Sequence, residues 1–162
     1  MITEDYVSFE TAKLLKEKGF DVWCDKCYGT ALYHKGVPIS FDDECELKEA
    51  GLENEIEYVE GGYLYDFGCD NRKEYAKVYA APTLQMTMKW LREVHRIIIV
   101  IQPLSFNGAK DFLCDNWVYS VWLGVNLKIG ESLKNQNTSS TYEEACEAAI
   151  KYCLENLIYK KR

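Results

Sequence analysis

"APTLQMTMKWLREVHRIIIVIQP", residues 81–103, changes its hydrophobic period at a single point and so names two elements at once. Up to His95, the apolar positions Leu84, Met88, Leu91 and His95 recur at helical spacing, and Met86, Trp90 and Val94 widen that face. Pro82 fits the first helical turn. From Arg96, the run "RIIIVIQ" is continuous, β-branched and closed by Pro103, the pattern of a strand buried on both sides.

A second rich strand, "WVYSVWLGV" at residues 117–125, sets Trp117, Tyr119, Val121, Leu123 and Val125 on one side. Val118, Ser120, Trp122 and Gly124 take the other. The two runs are expected to pair antiparallel at the centre of a sheet, joined by the loop "PLSFNGAKDFLCDN".

Outward from this middle, "SFETAKLLKEKGF" reads as a helix with both ends marked. Ser8 is its N-cap, Gly19 its left-handed C′ residue and Phe20 the apolar C″ contact, with Thr11, Ala12 and Leu15 on the buried face. Short strands are expected at "DVWC", "ALYH", "VPISF" and "GGYLYDFG", with Lys35-Gly36 as a tight hairpin turn and Pro38 confining its strand to an edge. The linker "GESLKNQNTSS" leads to a last helix with Thr141 and Glu144 as a capping box. Cys146, Ala149, Ile150, Cys153, Leu154 and Leu157 form its apolar stripe, before the basic tail "YKKR". The sum is an α+β fold in one domain, 1–162: a mainly antiparallel sheet of about five strands with three helices, mostly on one face.

At 162 residues, 48% hydrophobic and 14% aromatic, the chain can bury a core without staples. No apolar run approaches the ~20 residues of a membrane helix, and "MITEDYVSF" has no signal-peptide pattern, so a cytoplasmic protein without membrane contact is expected. Seven scattered cysteines fit reduced thiols. The net charge of −7 is uneven: residues 42–60 carry nine acids against Lys48, net −8, and the remainder is +1. This excludes the basic stripe of a duplex nucleic-acid binder. The acidic run reads as a solvated loop or frayed helix, or else as a docking surface for a basic partner.

"WCDKC", residues 23–27, has the spacing of half a metal site, but no second close pair accompanies Cys24 and Cys27, and no metal or cofactor is expected. Were zinc present, those two would hold it. A redox pair or a Cys27–His34 nucleophile lacks an activating helix or a signature. His95 reads as a structural or helix-capping residue. Phosphate loops, dinucleotide fingerprints and nucleophile elbows are absent, so no catalytic residue is assigned. Tyr63, Tyr65 and Phe67 alternate ahead of Arg72, and could stack a base beside its phosphate or line the inner face of the sheet. Trp23, Tyr28, Tyr63, Tyr65, Arg72 and Trp117 are the candidate ligand contacts.

Three segments, "DYVSFETAKLLKEKGFD", "APTLQMTMKWLREVH" and "TYEEACEAAIKYCLENLI", resemble small uncharacterised proteins encoded by phages and prophages of Bacteroides-type gut bacteria. Residues 22–80 stand outside the resemblance. It transfers no catalytic residue, and implies a non-enzymatic protein of the host cytoplasm that interferes with defence or takeover. Its partner would be a blocked host protein or a sequestered nucleotide-like signal, with a homo-oligomer possible. The alternatives are a small enzyme acting on a nucleotide and a zinc-stabilised interaction module.

Overall fold

The structure is a computed structural model and describes residues 4–72, 77–104, 116–124, 127–131 and 138–159. The elements in chain order are α1 (Phe9–Glu17), β1 (Cys27–His34), β2 (Val37–Pro38), α2 (Phe41–Glu49), a 3-10 turn (Glu53–Glu55), β3 (Ile56–Tyr65), β4 (Tyr79–Ala80), α3 (Leu84–His95), β5 (Ile97–Pro103), β6 (Trp117–Leu123), β7 (Leu127–Glu131) and α4 (Tyr142–Asn156). The class is α+β with antiparallel sheets, as expected, but the described residues form four helices and two sheets in place of three helices and one. The chain divides into two compact units: residues up to Phe20 with those from Pro82 onward, and Asp21–Ala81.

The first unit holds the three helices read from sequence and the sheet β5-β6-β7. Ser8 caps α1 by accepting from the Thr11 N–H at 3.3 Å. The other end closes as the sequence demands: Gly19 takes φ +85, its N–H reaches the Lys16 carbonyl, and the Phe20 N–H reaches Leu15, with Phe20 wholly buried. α4 buries Cys146, Ala149, Ile150, Cys153 and Leu154 of the expected stripe, with Ala145 added, while Leu157 is the half-buried C-cap beyond the helix. Each fully buried residue of Leu or Ile size contributes roughly 1.5–3 kcal/mol, so this stripe anchors the unit.

Polar ties hold α1 to α4. Glu147 accepts from the Ser8 N–H at 3.1 Å, from the Ser8 hydroxyl, and from Thr11 Oγ1 at 2.5 Å, which places a carboxylate at a helix N-terminus where the dipole favours it. Lys151 meets Glu10 at 2.8 Å. The Thr141–Glu144 box is half as expected: Thr141 accepts from the Glu144 N–H, but Glu144 reaches back to the N–H and hydroxyl of Ser140.

Four expectations change here. Helix α3 starts at Leu84 with Thr83 as N-cap, so Pro82 precedes the helix, and Val94 is 60% exposed while Thr87 is buried. Thr87 can be buried because its hydroxyl donates to the Thr83 carbonyl at 3.0 Å. β5 and β6 pair antiparallel as expected, in register from Ile97 opposite Leu123 to Pro103 opposite Trp117. Yet β6 is the central strand and β5 an edge among the described residues, with Val100 40% exposed, so the "RIIIVIQ" run is not buried on both sides. The loop at 105–115 with Cys114, Val125, linker residues 132–137 and tail residues 160–162 lie outside the described residues.

The second unit is a four-stranded antiparallel sheet with β1 at its centre. One edge of β1 carries β3, and the other carries β2 at the His34 end and β4 at the Cys27 end. Lys35 and Gly36 both adopt positive φ, 51 and 78, the two-residue hairpin turn expected from sequence. Pro38 sits on the edge strand β2, as its missing donor requires.

Two strand expectations fail, and so does the reading of the acidic run. "DVWC" contributes one isolated bridge, Cys24 to Cys69, and the strand begins at Cys27. "VPISF" is strand for Val37–Pro38 alone, because Ser40 turns away as the N-cap of α2, sharing a capping box with Asp43. The acidic run is neither loop nor frayed helix: it folds as α2, the 3-10 turn and the first half of β3.

Candidate functional site

The register of the second sheet sorts its side chains. Glu57, Val59, Tyr63 and Tyr65 of β3 lie opposite Tyr33, Ala31, Gly29 and Cys27 of β1, all on one face. The pairing skips between Gly29 and Ala31, where Gly61 turns through φ +68, a bulge that keeps the residues on either side of it on this face.

The rings form a continuous row. Tyr63 and Tyr65 have centroids 4.7 Å apart, and Tyr65 and Phe67 5.4 Å apart. Tyr65 lies over Gly29, where a Cβ would come within 2.7 Å of the ring, and its hydroxyl donates to the Thr30 carbonyl at 2.9 Å. That anchors Tyr65 while Tyr63 and Phe67 remain 56% and 50% exposed. Trp23, also 56% exposed, covers Gly68, where an added Cβ would be 2.3 Å from the indole.

Glu57 shares the face of the row. Asp66 stands exposed past the end of β3 with Lys26 at 3.9 Å, and on the opposite face Glu60 accepts from the Tyr79 hydroxyl. Beneath α2, the buried Glu44 accepts from Lys48 at 2.6 Å and from the Tyr58 hydroxyl at 2.8 Å. Lys48, then Tyr58, holds its carboxyl below the usual range. Glu55 is likewise lowered, by His34 at 2.9 Å and Lys35 at 3.2 Å. Asp21–Ala81 holds 14 acids and 6 bases, net −8, so the imbalance of the whole chain resides in this unit.

Five of the six candidate contacts fall in this unit, and Tyr63 and Tyr65 touch each other. Tyr28 is half-buried on β1 with its side chain on the opposite face to Tyr63 and Tyr65. Arg72 is exposed and clamped by Asp70, through Nε at 3.2 Å and Nη2 at 2.9 Å. Trp117 belongs to the other unit, where its ring meets Tyr142 edge-on at 5.4 Å. Sequence reading left Glu57 and Val59 out of the candidate site because they sat inside a run taken as loop. Their alternation ahead of "GGYLY" was the signal.

Cys24 and Cys27 are buried rather than poised. Cys24 and Cys69 exchange both backbone hydrogen bonds at 2.9 Å, and burial pushes the Cys24 and Cys27 thiols up to about 12. Both thiols are therefore protonated at neutral pH, the opposite of an activated nucleophile. Cys27 and His34 occupy the two ends of the eight-residue β1, roughly 20 Å apart at strand rise, so they cannot act as a pair. His95 packs edge-on against Trp90 at 4.6 Å, a structural setting. Among the described residues, no group of three or more His, Cys, Asp or Glu is arranged to hold a metal.

A cleft of about 220 Å³ opens in the first unit where α3 and α4 begin, lined by Glu4, Asp5, Thr83, Leu84, Gln85, Tyr142 and Glu143. It is smaller than most ligand pockets, and its three carboxylates cancel the attraction of the helix N-termini for an anion. No helix among the described residues is long and apolar enough to cross a membrane. No protein family model, curated protein or solved structure matches the chain.

Proposed function

We propose that this is a non-enzymatic binding protein that uses the acidic, aromatic face of Asp21–Ala81 to occupy a partner protein. The observation that supports it is the row Val59, Tyr63, Phe67 and the neighbouring Trp23, four exposed apolar side chains on one 61-residue unit. Exposed aromatics at such density cost solubility, and aromatic side chains are enriched where proteins meet.

Electrostatics favours a protein partner over a nucleotide-like signal. Four of the five described cations of the unit, Lys26, Lys35, Lys48 and Arg72, already face carboxylates. A phosphate would meet cations that are mostly committed among the described residues, and would enter a field of net −8. In a phage or prophage setting, as the resemblance implies, the partner is a host protein of defence or takeover.

A photo-crosslinking residue at position 63, compared with one at the exposed Lys89 of α3, tests the reading in host extract. A discrete polypeptide adduct at 63 and none at 89 is expected. Equal crosslinking at both sites, or a thermal shift with members of a nucleotide panel, would overturn it.

A further inference from the structure

Resting on the reading of this face as a protein-contact surface, we propose that β3 receives an extended, lysine- or arginine-bearing segment of its partner as an added strand along its outer edge.

The backbone supplies the template. Among the described residues, β3 pairs with β1 alone, so one side of a ten-residue strand has no ladder. The β1–β2 hairpin fixes which groups face that side. The Ile39 N–H donates to the Leu32 carbonyl, so Leu32 points away from β3 and its opposite number, Tyr58, points away from β1. The same alternation past the bulge turns Leu64 outward. Tyr58 and Leu64 thus present N–H and C=O groups to an incoming strand, the arrangement used in strand addition.

The side chains specify the occupant. An incoming strand would run its side chains beside Glu57, Val59, Tyr63 and Tyr65. Tyrosine faces attract guanidinium and ammonium groups, Glu57 on the same face pairs with them, and the exposed carboxylate of Asp66 past the end of β3 adds to the field that draws them. The aliphatic stems of those cations would cover Val59 and Tyr63. A second copy of this chain is a poor occupant, because each copy brings net −8 on this unit.

Calorimetric titration with three synthetic octapeptides decides it: alternating arginine and valine, the same with glutamate for arginine, and the arginine peptide with alternate backbone nitrogens methylated. The arginine peptide is expected to bind, and the methylated one to bind about tenfold or more weakly, because the strand ladder is blocked. A Glu57→Lys/Asp66→Lys variant, shown to be folded by its melting curve, loses about tenfold or more, while the charge-matched Glu93→Lys/Glu155→Lys on α3 and α4 changes affinity less than about twofold. Equal binding of the methylated or the glutamate peptide, or equal losses in both variants, overturns the proposal. So does a doubled mass in sedimentation that Glu57→Lys abolishes, which assigns the edge to a second copy. A crosslinked partner at position 63 with no arginine-peptide binding sinks the basic strand alone and leaves the wider reading standing.

Discussion

The two units of this chain spend their apolar residues in opposite ways. Among the described residues, the unit built from the chain ends buries 17 of the 24 buried hydrophobic residues, among them Leu91, Ile150 and Leu154. Asp21–Ala81 has nine of the 13 described large hydrophobic side chains that are exposed, including Trp23, Phe41, Tyr63 and Phe67. Charge divides the same way, net +1 against net −8. The difference teaches that buried and exposed apolar side chains are located apart. Helices with wide apolar stripes make the core, and a sheet with rings and carboxylates outward makes the surface.

Truncation in the first unit should have the largest effect. Leu154→Ala removes a wholly buried side chain from α4 and is expected to cost about 2–5 kcal/mol in urea unfolding. A cost under about 1 kcal/mol would mean that the stripe is not the core.

Alkaline pH comes next. Burial raises the Cys153 thiol from an ordinary 9.0 to about 12, and Cys24 and Cys27 also to about 12. The unfolded chain therefore loses these protons first. Stability is complete below about pH 9 and is lost as pH climbs toward about 12, readable as a falling melting temperature. Replacing Cys153 with Ala should flatten part of that slope, and an unchanged slope would refute a buried thiol. In the same pH 7 to 8 range where these thiols stay protonated, iodoacetamide should label the exposed Cys45 before Cys24, Cys27, Cys146 or Cys153.

A smaller loss, about 1 kcal/mol, is expected from Thr141→Ala, which leaves the Glu144 N–H without its cap. Smallest of all is Tyr63→Ala, within about 0.5 kcal/mol in unfolding because the ring is already more than half in water. If that substitution destabilised as Leu154→Ala does, the ring row would belong to the core and the contrast between the units would collapse.

Apart from Asp21 and Ala81, the resemblance segments lie in the first unit, while residues 22–80, which the resemblance leaves out, are nearly coextensive with Asp21–Ala81. What was legible does not follow that line. The Gly19–Phe20 helix stop, the stripe of α4, the pairing of β5 with β6 and the Lys35-Gly36 turn each rest on a local rule, and each formed. Along residues 39–60, two local signals competed. Ser40 with Asp43 capped a helix that the strand pattern of "VPISF" concealed, and the charges of "ENEIEYVE" concealed the alternation of β3.

The sequence by itself determined the elements whose signal spans a turn or two: caps, a helical stripe, a β-branched run and a two-residue turn. Those depend on backbone sterics and on burial periods that a short window contains. Tertiary structure alone decided that there are two sheets, that β5 is an edge, and that Tyr63, Phe67 and Trp23 face solvent while Cys24 and Cys27 are sealed. An aromatic side chain has the same affinity for a core as for a partner. Only the position of its strand among its neighbours determines which of the two it meets.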